Sequence, residues 1–190
     1  MMKSVFNYWM RQIVNDLPII LATLIFSLAL LTFIGMYIPP PESIRTSIED
    51  EVRNISRAIA NASFIEKIYI IYTRNAFANT LFILPFFINV VMYISTMVTT
   101  SWALNISATI LEETLGIPTY LSIVSLMLMP HTYLELFSYS LSLIASFKLT
   151  LNFIKKHINK ETLYSFAITI LLSYSILLIS AIVEVTLINI

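Results

Sequence analysis

Between Asp16 and Glu42 the sequence carries no charged side chain. Residues 17–38 of that gap are apolar almost throughout, and about 20 such residues cross a hydrocarbon core of about 30 Å. Further charge-free stretches run over 75–111, 136–147 and 162–183. Only 12% of the 190 residues are charged and 58% are hydrophobic, against roughly a quarter charged in a soluble domain. These features predict an all-α, polytopic integral membrane protein of the cell membrane, forming a single membrane domain over residues 1–190. The first run is too long for a signal peptide and lacks a small-residue cleavage site, so it reads as an anchor.

Several function classes drop out. The formal net charge is zero, so no basic balance argues for nucleic acid. The chain has no cysteine, which removes disulfides, thiolate metal sites and thiol nucleophiles. No phosphate-binding loop and no Ser/His/Asp arrangement stands out. The expectation is a non-enzymatic protein with no metal and no cofactor.

In chain order, residues 1–16 carry Lys3 and Arg11 with Tyr8 and Trp9. Phe6, Trp9, Met10 and Ile13 share a helical face, which reads as an interfacial helix on the cytoplasmic side. The first transmembrane helix follows over 17–38 and ends at Pro39-Pro40-Pro41. Residues 42–74 concentrate the charge. Ile44, Ile48, Val52, Ile55, Ile59 and Ala62 recur at spacings of three and four, marking an amphipathic helix outside the membrane. Glu49 and Arg53 stand at i, i+4, the spacing of a helix-surface ion pair. With Arg57, Arg53 makes this helix a candidate surface for docking a membrane or extracytoplasmic protein partner, or a second copy of the chain. Two glycosylation sequons, at Asn54 and Asn61, matter only if this face is external.

A second span is expected over 76–98, despite Asn79, Pro85 and Asn89 within it. Asn75, Asn79 and Phe86 share a face by spacing, which should look into the bundle. Residues 102–115 read as an amphipathic, interfacial helix ending at Gly116-Ile117-Pro118. Residues 121–129 alone are too short to cross. Either 102–129 crosses as one broken helix, or the piece after Pro118 is a half-helix that meets a second break at Pro130.

Pro130 opens the most distinctive stretch, Pro130-His131-Thr132-Tyr133-Leu134-Glu135. Proline lacks a backbone donor and disfavours helix in the residue before it, so the apolar run should break there and a new helix begin. His131 and Glu135 then lie on one face. An imidazole and a carboxyl in an apolar region need shelter from other helices. Ser138, Ser140, Ser142, Ala145 and Ser146 follow on the span over 131–151, and small residues permit close helix contact. Lys148 is expected to snorkel to the headgroups. Lys155, Lys156, His157 and Lys160 make the most basic loop, which should be cytoplasmic. The last span, over 162–188, carries Glu184 near its end. With the N-terminus and the basic loop on one side, an even number of crossings must separate them, and about five transmembrane helices satisfy this.

Pro130-His131, then Glu135, then a helix of small residues, resembles the Pro-His-Gly-x-x-Glu motif of the stage II sporulation protein M family. The Asn75-x-x-x-Asn79 start of the second span and Ile182-Val183-Glu184 in the last helix are similar to that family too. The likeness covers roughly residues 65–188. Thr132 replaces the family's glycine, and Ser138, Ser140, Ser142 and Ala145 replace the glycines that follow. The resemblance implies a multi-helix membrane protein, whose best-described relatives anchor cell-wall hydrolases during engulfment. It also implies a polar cluster of His131, Glu135, Asn75, Asn79 and Glu184. A membrane scaffold or anchoring component is the reading that follows. The alternative is a transporter or permease component, since half-helices meeting at Pro118 and Pro130 beside titratable groups are ingredients of a midplane site.

Overall fold

The computed structural model describes residues 2–189, with side chains from Phe6 onward. Its helices are α1 (Met2–Tyr37), α2 (Glu42–Asn61), α3 (Phe64–Leu81), α4 (Ile88–Leu115), α5 (Thr119–Met127), α6 (Pro130–Ile154) and α7 (Lys160–Ile188). No strand occurs among the described residues, so the chain is all-α. Three stretches are long and apolar enough to cross a membrane: Phe6–Tyr37, Pro130–Ile154 and Lys160–Ile188. The last two lie within a few residues of the expected spans.

The N-terminus differs from the expectation. Instead of an interfacial helix followed by a span, α1 runs unbroken through Pro18. Its first turns are tied into the bundle by polar side chains. Trp9 Nε1 donates to Thr169 Oγ1 at 3.1 Å, Ser165 bonds Gln12, and Lys148 pairs with Asp16. A helix held this way runs alongside α6 and α7 as part of one bundle. The side chain of Lys3, the other basic residue there, lies outside the described residues. Lys148 accordingly has a protein partner and is not a free snorkelling cation.

The stretch 42–74 is two helices, not one. α2 ends at Asn61, and α3 starts after Ser63. On α2 the apolar positions Ile48, Val52, Ile55 and Ile59 are half-buried, and Ile59 packs beside Ile71, Ala181 and Val185. No residue of α2 is fully buried. The Glu49–Arg53 pair forms at 2.7 Å, as the spacing predicts.

At the start of α3, Ser63 and Glu66 stand in a capping box, with the Ser63 amide donating to Glu66 Oε2 at 2.8 Å. This satisfies a backbone donor that the helix itself leaves unpaired. The bonds from Ser63 hold the Glu66 carboxyl below the usual carboxylate range. A depressed folded value means the contribution is present at neutral pH and is lost as pH falls through that value. Amide exchange at Ser63, whose N–H the carboxylate accepts, is therefore expected to quicken on acidification beyond the intrinsic rate. Glu66→Gln should remove that pH dependence, and an unchanged profile in this variant would rule the cap out as its source.

The expected single span over 76–98 does not exist. α3 stops at Leu81 and α4 begins at Ile88. The cause is Pro85, which has no amide hydrogen and drives Leu84 out of the helical region. Phe86 and Phe87 then take left-handed backbone angles, φ 59° and 66°. Phe86 thus leaves the face of Asn75 and Asn79, and its ring is exposed. Irregular backbone inside a bundle needs partners from the protein. α6 supplies them: Ser146 Oγ donates to the carbonyl oxygens of Ile83 at 2.8 Å and Leu84 at 3.1 Å. The Phe86 amide donates to Thr150 Oγ1 at 3.1 Å.

Residues 102–115, expected as a separate interfacial helix, are the second half of α4. α4 ends at Gly116, whose φ of +70° is the left-handed cap that glycine takes without strain. Pro118 then caps α5. α5 is a separate helix of 9 residues, about 14 Å long at 1.5 Å per residue and too short to cross a membrane by itself. Met129 is extended and Pro130 is the first residue of α6, so the break falls where proline places it. Thr132 Oγ1 reaches back to the Leu126 carbonyl at 2.9 Å and locks the corner.

Hydrogen bonds fix the register of the bundle. α6 and α7 are antiparallel, with Ser180 against His131 and Ser173 against Ser138. α3 is antiparallel to α7, with Lys67 against Asn189 and Asn79 against Ser173. α1 passes Ser165 at Gln12, Tyr93 at Ser27 and Asn105 at Gly35. One end of the bundle therefore gathers the start of α1 and the basic 155–160 loop. The other gathers α2, α5, the starts of α3 and α6 and the end of α7. Phe82 fills the core between them, 0% exposed, with ring centroids 4.9 Å from Tyr93 and 5.2 Å from Tyr139.

Candidate functional site

Where α3, α6 and α7 meet, polar side chains run in a seam. Its lower part is built on small residues. Ser138 Oγ donates to the Ser173 carbonyl at 2.8 Å, and Ser173 Oγ reaches the Ser138 carbonyl at 3.1 Å. Such reciprocal bonds form only where two helix backbones approach closely, which serine permits. Ser142 Oγ lies 2.8 Å from Ser173 Oγ. From the third side, Asn79 Nδ2 donates to Ser173 Oγ at 2.9 Å. Asn79, Ser138, Ser142 and Ser173 are all 0% exposed. The Asn79 side-chain carbonyl is buried without a hydrogen-bond partner.

About one turn nearer the start of α6, Asn75 Nδ2 donates to Glu135 Oε1 at 2.6 Å. Ser180 Oγ donates to the His131 carbonyl at 2.9 Å and lies 3.5 Å from the same Glu135 oxygen. Glu184 follows Ser180 by one turn, and its carboxyl stands within electrostatic reach of Glu135. Arg74, neighbour to Asn75 in sequence, pairs with Glu51 of α2 at 3.3 Å. The structure thus brings together Glu135, Asn75 and Asn79 along one seam, with Glu184 one turn beyond Ser180 on α7 and Arg74 tied to α2.

His131 enters differently from the expectation. Among the described residues its imidazole makes no bond to Glu135, and Nδ1 is buried without a partner. The residue contributes its backbone carbonyl instead. Sharing a helix face brings two side chains near each other, but a carboxyl bonds the donor best aimed at it, and the amide of Asn75 is that donor. No group of three or more His, Asp or Glu side chains among the described residues could hold a metal ion.

Sequence reading named Glu184 on α7 but missed the serines and threonines of that helix, of which Ser173 and Ser180 enter the seam and Ser165 and Thr169 face α1. Thr162, Ser165, Thr169, Ser173 and Ser180 are all buried. Their spacing of three, four, four and seven residues is a helical stripe, and counting it would have found them. The pairing of Asp16 with Lys148 also escaped notice, since 132 positions separate them. Beside this pair lies a cavity of about 30 Å³, lined by Gln12, Asn152, Ser165 and Thr169 among others. It is at the far end of the bundle from Glu135.

The remaining candidates lie elsewhere. Arg53 and Arg57 are exposed on α2. Pro118 and Pro130 mark the two ends of α5. No family model, curated protein or solved structure matches the chain.

Proposed function

We propose that this chain is a non-enzymatic, multi-pass protein of a cell membrane, working as a scaffold or anchoring component akin to the stage II sporulation protein M family. The observation that carries the reading is the seam. Its amide, hydroxyl and carboxyl groups are spent mostly on one another across three helices, which is what a packing device requires. Arg74 links that seam to α2, whose outward face with Arg53 and Arg57 is the docking surface for a protein partner or a second copy.

Five crossings fit this arrangement: α1, α3 with the 82–87 corner, α4, α6 and α7. α5 is then a half-helix returning to the side from which it came. Four crossings separate the N-terminus from the 155–160 loop, the even number that their shared basic character requires. Charge sorting speaks for the same orientation. Arg11, Lys148, Lys155, Lys156 and Lys160 outweigh Asp16 and Glu161 at one end, whereas at the other Glu42, Glu49, Asp50, Glu51, Glu66, Glu112 and Glu113 outnumber Arg45, Arg53, Arg57, Lys67 and Arg74. Basic loops face the cytoplasm.

A second reading, a permease component, draws on the orphaned His131 Nδ1 beside the half-helix α5. Two variants separate the readings. His131→Ala keeps the carbonyl that Ser180 uses, and Glu135→Gln keeps an acceptor for Asn75, so both are expected to fold at a cost of about 1 kcal/mol. On the scaffold reading, photo-crosslinkers at positions 53 and 57 then still converge on one protein, and one placed at Glu161 does not. Folded variants that abolish solute flux in liposomes would establish the permease reading and sink the scaffold.

A further inference from the structure

At the basic end of the bundle a groove of about 460 Å³ opens between the 82–87 corner and the end of α6, lined by Phe86, Phe153, Ile154, Lys156 and Ile158. We propose that this groove is a binding site for an anionic phospholipid of the leaflet on that side, with an acyl chain along the aromatic wall and the phosphate at Lys156.

Four of the five lining side chains are apolar, and all five are exposed. Phe86 and Phe153 meet edge to face at 5.4 Å and form one wall. The single cation, Lys156, stands on the rim. Lys155, His157 and Lys160 follow on the same exposed loop, opposed in that loop only by Glu161. An apolar trough ending in clustered cations matches a lipid that carries net negative charge, and it does not match a zwitterionic one as well. Phe86 and Lys156 both hold left-handed angles, φ 59° and 56°; at Lys156 the angle closes α6, with the His157 amide donating to the Asn152 carbonyl at 2.9 Å. The Thr150 bond to the Phe86 amide fixes the aromatic side of the trough. Each lysine near an anionic surface contributes roughly five-fold in affinity.

The inference rests on the membrane-spanning reading, and one experiment distinguishes the two. The full chain is placed in nanodiscs of phosphatidylcholine with a small fraction of photoactivatable phosphatidylglycerol, or with photoactivatable phosphatidylcholine at the same fraction. The expected result is preferential labelling at Phe86, Phe153 or Ile158 by the anionic probe. Lys156→Gln should reduce that preference about five-fold, and Lys155→Gln with Lys156→Gln about twenty-five-fold, while Arg45→Gln at the other end leaves it unchanged. Equal labelling by the two probes in inserted protein overturns the lipid site and leaves the membrane reading standing. Failure to enter the nanodiscs overturns both.

Discussion

Ser173→Leu is expected to destabilise the protein by about 5 kcal/mol, about 2 kcal/mol more than Ser173→Ala. Three costs combine. Ser173 is 0% exposed between three helices, so a branched four-carbon side chain overpacks a contact that allows hydroxyl-to-carbonyl bonds across helices, costing about 1–3 kcal/mol. The bonds to Ser138, Ser142 and Asn79 disappear, at about 0.6 kcal/mol each for a typical interhelical bond in lipid. The Asn79 amide, whose carbonyl is already unpaired, then has no partner at all, and an unsatisfied buried group costs about 1–3 kcal/mol. Alanine incurs the second and third costs in full but no overpacking, so the difference between the two variants reports how closely α6 and α7 approach here. Unfolding in mixed micelles, followed by circular dichroism, reads both variants. If leucine and alanine shift the midpoint equally, α6 and α7 are not in close contact at this point, and the seam as described is wrong.

How much of this was legible beforehand depends on which residue is asked. Pro130 was fully legible: it breaks the helix before it and starts the next, because the missing amide hydrogen acts within one turn. Pro85 has the same chemistry, yet the expectation ran a span straight through it. The difference is that a proline inside an apolar run can kink a helix or end it, and the outcome turns on who satisfies the freed backbone groups. Here Ser146 and Thr150 do so, and nothing local to Pro85 announces them. Asn75, Asn79, Glu135 and Glu184 were legible as polar groups needing shelter. Their partners were not, with the exception of the overlooked α7 stripe. The spacing puts His131 and Glu135 on one helix face, and that alone does not say which donor the carboxyl takes. The donor comes from another helix 60 positions away. Local rules placed the break at Pro130, whereas tertiary contacts decided the break at Pro85 and which polar atoms meet.

Phe82→Ala is the second large effect, expected at about 3 kcal/mol. Phe82 sits at the corner where α3 ends, and it is 0% exposed. Alanine in place of buried phenylalanine costs about 3–5 kcal/mol in a soluble core, where lost transfer from water and the cavity both count. In lipid the transfer part shrinks, since acyl chains are as apolar as the core. What remains is the cavity and the loss of two edge-to-face contacts, to Tyr93 and Tyr139, at about 0.5–1.5 kcal/mol each. These place the estimate at the low end of the soluble range. Phe82→Leu should retain most of the volume and cost about 1 kcal/mol. The location also predicts where the damage shows. The ring holds the 82–87 corner against α6, so alanine should raise hydrogen exchange at Phe86 and protease cleavage within the corner before the bundle melts. A variant that loses stability evenly, with the corner as protected as before, would mean that Phe82 only fills space and that the hydroxyls of Ser146 and Thr150 hold the corner by themselves.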